Sequence, residues 1–258
     1  MRLIIVIFSF FVAMNSTAQV YWQRLVTNYS KQQYLCGNQN WQISQHANGW
    51  MYFANNKGLL EYDGVYWNTY SLNHDAKARA VKAMGDRVYV GGLGQFGFFE
   101  PDVSGQLKYT DLLPKQNSTA AINIWHIHSL DGKIYFQSDD GMYVYYEDKL
   151  HYIPCAKGIS YSVVLYERLY AVSRDGIFLL SNNSFQLIPG SEMVTHDQVI
   201  SLMSMDGNIL AVTAHKGLFI SSGGTFKPYR SKLDEFISGN QISSAAISTN
   251  FLSLGTIQ

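Results

Sequence analysis

Two imidazoles stand two residues apart in Trp125-His126-Ile127-His128, and on a strand that spacing puts both rings on one face, where a metal or a polar ligand could be held. No third ligand accompanies them at a metal-binding spacing, so the expectation is no metal and no cofactor, with Trp125, His126 and His128 as the candidate ligand-binding residues. The remaining histidines, His46, His74, His151, His196 and His215, form no ligand cluster in the sequence. Gly92-Leu93-Gly94-Gln95-Phe96-Gly97 fits the spacing of a dinucleotide-binding loop, but a helix must follow it to hold the pyrophosphate. Phe98-Phe99-Glu100-Pro101-Asp102 reads instead as a strand and a turn. There is no G-x-S-x-G elbow, and Asp63, Asp131, Asp140, Asp175 and Asp206 each precede glycine, where their residue type suits tight turns rather than acid–base work. No catalytic residue is expected. Cys36 and Cys155, 119 positions apart and in no Cys-x-x-Cys spacing, read as two unpaired thiols.

The elements that would position these residues recur. Gly58-Leu59-Leu60-Glu61-Tyr62, Gly97-Phe98-Phe99-Glu100, Gly141-Met142-Tyr143-Val144-Tyr145, Gly176-Ile177-Phe178-Leu179-Leu180 and Gly217-Leu218-Phe219-Ile220-Ser221 align at spacings of 39, 44, 35 and 41 residues. Each is preceded by a short apolar strand, such as Met51-Tyr52-Phe53-Ala54 or Ile134-Tyr135-Phe136. Upstream of that lies a turn signal, as in Asn48-Gly49, Asp131-Gly132 or Asp206-Gly207, and then another strand, as in Trp41-Gln42-Ile43 or Trp125-His126-Ile127. A fourth strand follows, for example Phe185-Gln186-Leu187-Ile188. Four short antiparallel strands in about 40 residues make one blade of a β-propeller, which must stack on its neighbours to bury both faces. The fold class is therefore all-β, a β-propeller of four-stranded antiparallel blades. Residues 242–247 and 251–254 read as the first two strands of a sixth blade, so about five and a half blades are expected, with the ring incomplete and the chain truncated. Residues 231–236 are the longest candidate helix.

Composition agrees with strands. Aromatic residues reach 14% and charged residues only 15%, against roughly 25% charged in ordinary soluble domains. Nineteen basic and nineteen acidic residues leave no positive field for a phosphate backbone, which argues against nucleic-acid binding by this segment. Arg2, the apolar run 3–14 and Ser16-Thr17-Ala18 form a secretory signal peptide with cleavage expected before Gln19. Twelve apolar residues rise about 18 Å as a helix, short of the roughly 30 Å hydrocarbon core. The expected organisation is a signal peptide at 1–18, a leader at 19–39 with a candidate ring-closing strand, and propeller blades over 40–258.

The first blade carries a further pattern. Asn28-Tyr29-Ser30, Tyr34, Gly37-Asn38-Gln39-Asn40-Trp41-Gln42-Ile43, Gly49 and Tyr52-Phe53-Ala54-Asn55-Asn56-Lys57-Gly58-Leu59-Leu60-Glu61-Tyr62-Asp63-Gly64 resemble the start of bacterial periplasmic sensor regions built from two-component-regulator propeller repeats. Gly91-Gly92-Leu93-Gly94-Gln95-Phe96-Gly97-Phe98-Phe99 is similar to the second-blade signature of that group. The resemblance is specific over residues 28–100 and general beyond them. It implies a non-catalytic sensing propeller on the periplasmic side of a Gram-negative inner membrane. In the family such a propeller is followed by a triple-tyrosine module, a membrane helix and a histidine-kinase or helix-turn-helix output. It further implies a carbohydrate or other periplasmic ligand, membrane attachment only through those following parts, and a homodimer in the full-length protein. Two alternatives stand beside it: an exported propeller enzyme of the polysaccharide lyase or hydrolase kind, and a protein-interaction scaffold.

Overall fold

The computed structural model describes residues 26–113, 122–248 and 251–257. The expected signal peptide and its cleavage point lie outside them.

Alternating side chains and tight turns build five four-stranded antiparallel sheets in chain order, followed by a two-stranded one. Blade 1 is β1 (Asn40–Gln45), β2 (Met51–Asn55), β3 (Gly58–Tyr62) and β4 (Trp67–Tyr70). Blade 2 is β5 (Ala78–Met84), β6 (Arg87–Gly92), β7 (Phe96–Pro101) and β8 (Leu107–Asp111). Blade 3 is β9 (His126–Leu130), β10 (Lys133–Gln137), β11 (Gly141–Tyr146) and β12 (Lys149–Pro154). Blade 4 is β13 (Tyr161–Leu165), β14 (Arg168–Ser173), β15 (Gly176–Ser181) and β16 (Ser184–Leu187). Blade 5 is β17 (Val199–Met205), β18 (Asn208–Thr213), β19 (Leu218–Ser222) and β20 (Thr225–Pro228), and the last sheet pairs β21 (Gln241–Ile247) with β22 (Leu252–Ile257). A strand thus follows the glycine-rich 92–97 run, where a dinucleotide site would need a helix.

Several hairpins close with two residues of positive φ, the mirror-image turn that matches strand twist. Asp131-Gly132 (φ 49° and 71°) and Asp206-Gly207 (φ 48° and 78°) do so with the residue types expected. Tyr166-Glu167 does so at 49° and 54° with residues that have no preference for it.

Stacking of blades supplies the core, because each sheet alone leaves two apolar faces exposed. Tyr52 and Leu59 of blade 1 meet Val81, Val88 and Phe99 of blade 2. Phe98 of blade 2 packs with Ile127, Ile134 and Phe136 of blade 3. Met142 and Val144 face Leu169 across the next seam, Ile177 faces Leu202 and Phe219 across the one after, and Leu210 and Val212 meet Ile242 of the last hairpin. The first strands of successive sheets also touch in series, which sets them side by side along a common inner surface. Polar contacts fix their heights. Gln42 Oε1 accepts from Val81 N at 2.9 Å, and Ser44 Oγ accepts from Ala83 N at 3.0 Å.

The leader forms one helical turn, α1 (Lys31–Tyr34), and no strand over its described residues 26–39. It is fastened to blade 1 by the fully buried Asn55. The amide oxygen of that side chain accepts from Cys36 Sγ at 3.0 Å, Gly37 N at 2.9 Å and Lys57 N at 3.0 Å, while its nitrogen donates to Gly37 O and Asn40 Oδ1. Tyr29 adds a hydroxyl contact to Tyr62 at 2.7 Å and an edge-on contact to Trp67. The short helix of the 231–236 region is α2 (Asp234–Ser238), held by Ile237 in the last seam. Both cysteines are buried and unpaired, Cys155 with its Sγ toward Gly158 O.

Candidate functional site

Antiparallel meandering puts three kinds of segment at one end of every blade: the start of the first strand, the turn between the second and third, and the connection to the next blade. This connection face is where the structure gathers side chains able to receive a ligand.

The residue at the start of the first strand stands apart from the rest of the ladder. In blade 1 the pairs Asn40↔Asn55 and Gln42↔Ala54 leave Trp41 unpaired in a bulge. Arg79 in blade 2, Ile200 in blade 5 and Ser243 in the last hairpin occupy the same register, skipped between Ala78 and Ala80, Val199 and Ser201, and Ile242 and Ser244. Blades 3 and 4 place Trp125 and Ser160 there, just before the first paired residue, with Trp125 N donating to Gln137 O at 3.0 Å and Ser160 N to Val172 O at 2.9 Å. A bulge re-aims the side chain it carries. The bulge recurs at this register in blades 1, 2 and 5 and in the last hairpin, while in blades 3 and 4 the corresponding residue opens the strand.

Three of these residues converge. The Arg79 guanidinium carbon lies 4.4 Å from the ring centre of Trp125 and 5.5 Å from that of Trp41. One of its terminal nitrogens donates to Asn123 Oδ1, and its buried Nε has no hydrogen-bond partner among the described residues. Each indole is pinned by the turn of its own blade: Trp41 Nε1 donates to Asn56 Oδ1 at 2.8 Å, and Trp125 Nε1 to Asp139 Oδ1 at 2.7 Å. Asn123 is in turn seated by a bridge to Leu93 and by Ile124 N donating to Gly92 O at 3.0 Å. The result is a cation layered with two fixed aromatic rings from three successive blades, with Trp41 left 42% exposed. Such a surface offers a flat apolar plate beside a hydrogen-bond donor, which suits stacking of a ring-shaped polar molecule.

Of the residues predicted from sequence, Trp125 belongs to this cluster, while His126 and His128 turn into the seam between blades 3 and 4. Their rings stand 6.1 Å apart, His126 edge-on to Tyr161. His128 Nε2 is 2.8 Å from Ser162 Oγ, which donates to Gln137 Oε1 at 2.5 Å. Burial first, then the neighbouring His126 and Lys82, push the His128 pKa down to about 4, and burial lowers that of His126. Both rings thus pack in the seam, His126 against Tyr161 and His128 beside the Ser162 hydroxyl. Among the described residues no group of three or more His, Cys, Asp or Glu side chains gathers into a metal-ligand set. Trp41 and Arg79 went unread as site residues. The signal for them is the repeat register itself, since Trp41 and Trp125 take the same place in their blades and Arg79 takes it in the blade between.

No family model and no curated protein matches the chain. Solved structures do. The extracellular domain of the one-component system protein BT4673 of B. thetaiotaomicron superposes with TM-score 0.60 at 19% identity, over 84% of this chain and 30% of that one. The extracellular domain of the hybrid two-component system protein BT3049 of the same organism gives 0.59 at 18% identity, over 89% of this chain and 34% of that one. The WD40 β-propeller domain of Doa1 gives 0.51 at 14% identity, over 85% and 90%. The likeness is one of fold, and it establishes the sheets as propeller blades. The chain spans about a third of the length of the two extracellular domains. Among the described residues no helix is long and apolar enough to cross a membrane.

Proposed function

We propose that this chain is a ligand-sensing propeller on the periplasmic side of a Gram-negative inner membrane, part of a transmembrane signalling protein. It binds without catalysing, and its ligand is a carbohydrate or another small ring-bearing molecule received on the connection face. The single observation that carries this reading is the layering of Arg79 with Trp41 and Trp125, each indole held by a turn of its own blade. A fixed aromatic plate loses little side-chain freedom on binding, and an adjacent guanidinium orients the hydroxyls of a polar ring. The first-blade resemblance to sensor propellers and the fold shared with two extracellular signalling domains favour the same assignment.

Titration of the full chain with a panel of neutral oligosaccharides, read by tryptophan fluorescence, tests it. A binding saccharide should lose about thirtyfold in affinity, near 2 kcal/mol, when Trp125 or Trp41 is replaced by alanine. Binding that survives both replacements, or hydrolysis or elimination of any saccharide in the panel, sinks the reading.

A further inference from the structure

We propose that a second site on the connection face, the cleft between blades 4 and 5, binds a small molecule bearing an oxyanion, with Arg174, His196 and His215 as its recognition groups. The cleft holds about 460 Å³ and is lined by Ser160, Ser173, Arg174, His196, Gln198 and His215. Three segments bring the nitrogenous side chains together. Arg174 comes from the turn between β14 and β15, His196 from the connection between blades 4 and 5, and His215 from the turn between β18 and β19.

Among the described residues the charges around the cleft are sorted so that Arg174 alone enters no ion pair or carbonyl contact. Lys157, on the adjoining rim, is paired with Asp175 at 3.0 Å. Lys216 is turned onto the carbonyls of Met193 and Thr195, at 3.2 and 2.6 Å. Arg174 is exposed and enters no ion pair among the described residues. Its planar fork of donors matches a carboxylate, sulfate or phosphate edge, which a point-like ammonium does not.

Asp197, the one carboxylate lining the cleft, is spent on holding the site. Its side chain is 4% exposed and accepts from the amides of Gln198, His215 and Lys216 at 2.8, 2.9 and 2.7 Å. It also lies 3.0 Å from His215 Nδ1. Burial pushes its pKa up, but the His215 ring and those amides outweigh this and hold it below the usual carboxylate range. With Nδ1 committed to Asp197, His215 has its Nε2 edge left for a ligand. Ala214 N donates to Gln198 O at 2.8 Å, so the strips bearing His196 and His215 are laced together. His196 is held in the left-handed region at φ 63°. The His215 ring and the backbone bearing His196 are thus set before any ligand arrives, which lowers the cost of ordering them on binding.

Calorimetric titration of the full chain with sodium sulfate and with glucuronate, glucose serving as the neutral control, tests the site alongside NMR of the imidazoles. Both anions should bind, shift the His196 and His215 ring signals, and lose about tenfold or more in affinity in Arg174→Gln. Sulfate binding as tightly as glucuronate identifies a free inorganic anion as the ligand, and tighter glucuronate binding identifies an acid carried on a saccharide. His215→Gln should weaken both. Absence of anion binding, glucose binding as tightly as glucuronate, or unaltered affinity in Arg174→Gln overturns the proposal. Neutral saccharides binding at Trp125 while anions fail here would overturn this site alone.

Discussion

Acidification should weaken the seam between blades 3 and 4 before it touches the carboxylates, and His128 sets the size of the effect. The ring is partly buried in the seam, hydrogen-bonded to Ser162 and beside His126, and its pKa falls from the ordinary 6.5 to about 4. A folded-state value below the unfolded one means that the stabilisation is complete above pH 6.5 and is lost as the pH falls toward 4. That gap corresponds to about 3 kcal/mol, a sizeable share of the roughly 5–15 kcal/mol that holds a typical domain folded. His126 is depressed in the same direction by its burial and adds to the loss. Asp63, Asp102 and Asp197 act in a lower window: their pKa values lie below the ordinary 3.8, so their contribution begins to fade only beneath it. The assay is urea denaturation at a series of pH values from about 7.5 to 4.5, on the wild type and on His128→Gln, whose amide can still reach Ser162 but does not titrate. The wild type should lose stability steeply across this range, and the variant should lose about 2.5 kcal/mol less. Parallel curves for the two proteins would refute the account of the seam.

Other consequences follow from the same contacts. Gly58 lies at φ 114° with the Tyr70 carbonyl oxygen where a Cβ would stand, whereas Gly64, at φ 103°, faces open space. Gly58→Ala should therefore cost about 3 kcal/mol and Gly64→Ala about 1 kcal/mol, a difference that thermal denaturation resolves. Asn55→Ala removes the partners of Cys36 and Gly37 and should cost about 3 kcal/mol, with new protease cleavage within residues 26–39 at native temperature. On the alkaline side, burial and then Glu61 raise the Tyr70 pKa to about 12, so its stabilising effect is complete below pH 10 and falls away as the pH climbs toward 12. Tyr70→Phe should flatten that decline in a denaturation series. Thiol titration of the denatured chain without reductant should count two free cysteines, Cys36 and Cys155.

The repeat was legible because two signals coincide in each blade, an apolar pair of inner strands and a glycine at the start of the third. Gly58, Gly97, Gly141 and Gly176 lie inside their strands, and Gly217 immediately precedes β19. Where a signal is missing the pattern is hard to see. The first strand of blade 4, Tyr161–Leu165, ends in Tyr166-Glu167, a turn that the packing of neighbouring strands imposes on residues without preference for it. Strand periodicity marks the histidine pair as a candidate site because it shows which residues share a face but not which seam that face enters. His126 and His128 do share one, and Tyr161 and Ser162 of the next blade fill the space before them. Arg79 and Trp41 were hidden for a related reason. A bulge breaks the two-residue period at the position where the side chains are re-aimed, so alternation misplaces those residues.

That recurrent bulge separates two jobs that most strand positions must do at once. A residue in the paired ladder is answerable to the blade beside it, and changing it disturbs a packed seam. The bulged position is released from cross-strand pairing, so its identity can change while the register on either side is kept. Trp41, Arg79 and Ser243 stand at bulged positions of this kind, as does Ile200, which packs against the last seam, while Trp125 and Ser160 open their strands at the same register. An aromatic plate, a cation, a hydroxyl or an aliphatic side chain can each be set there, one per blade. New recognition can thus arise by single substitutions at a bulge without repaying the stability of the stack.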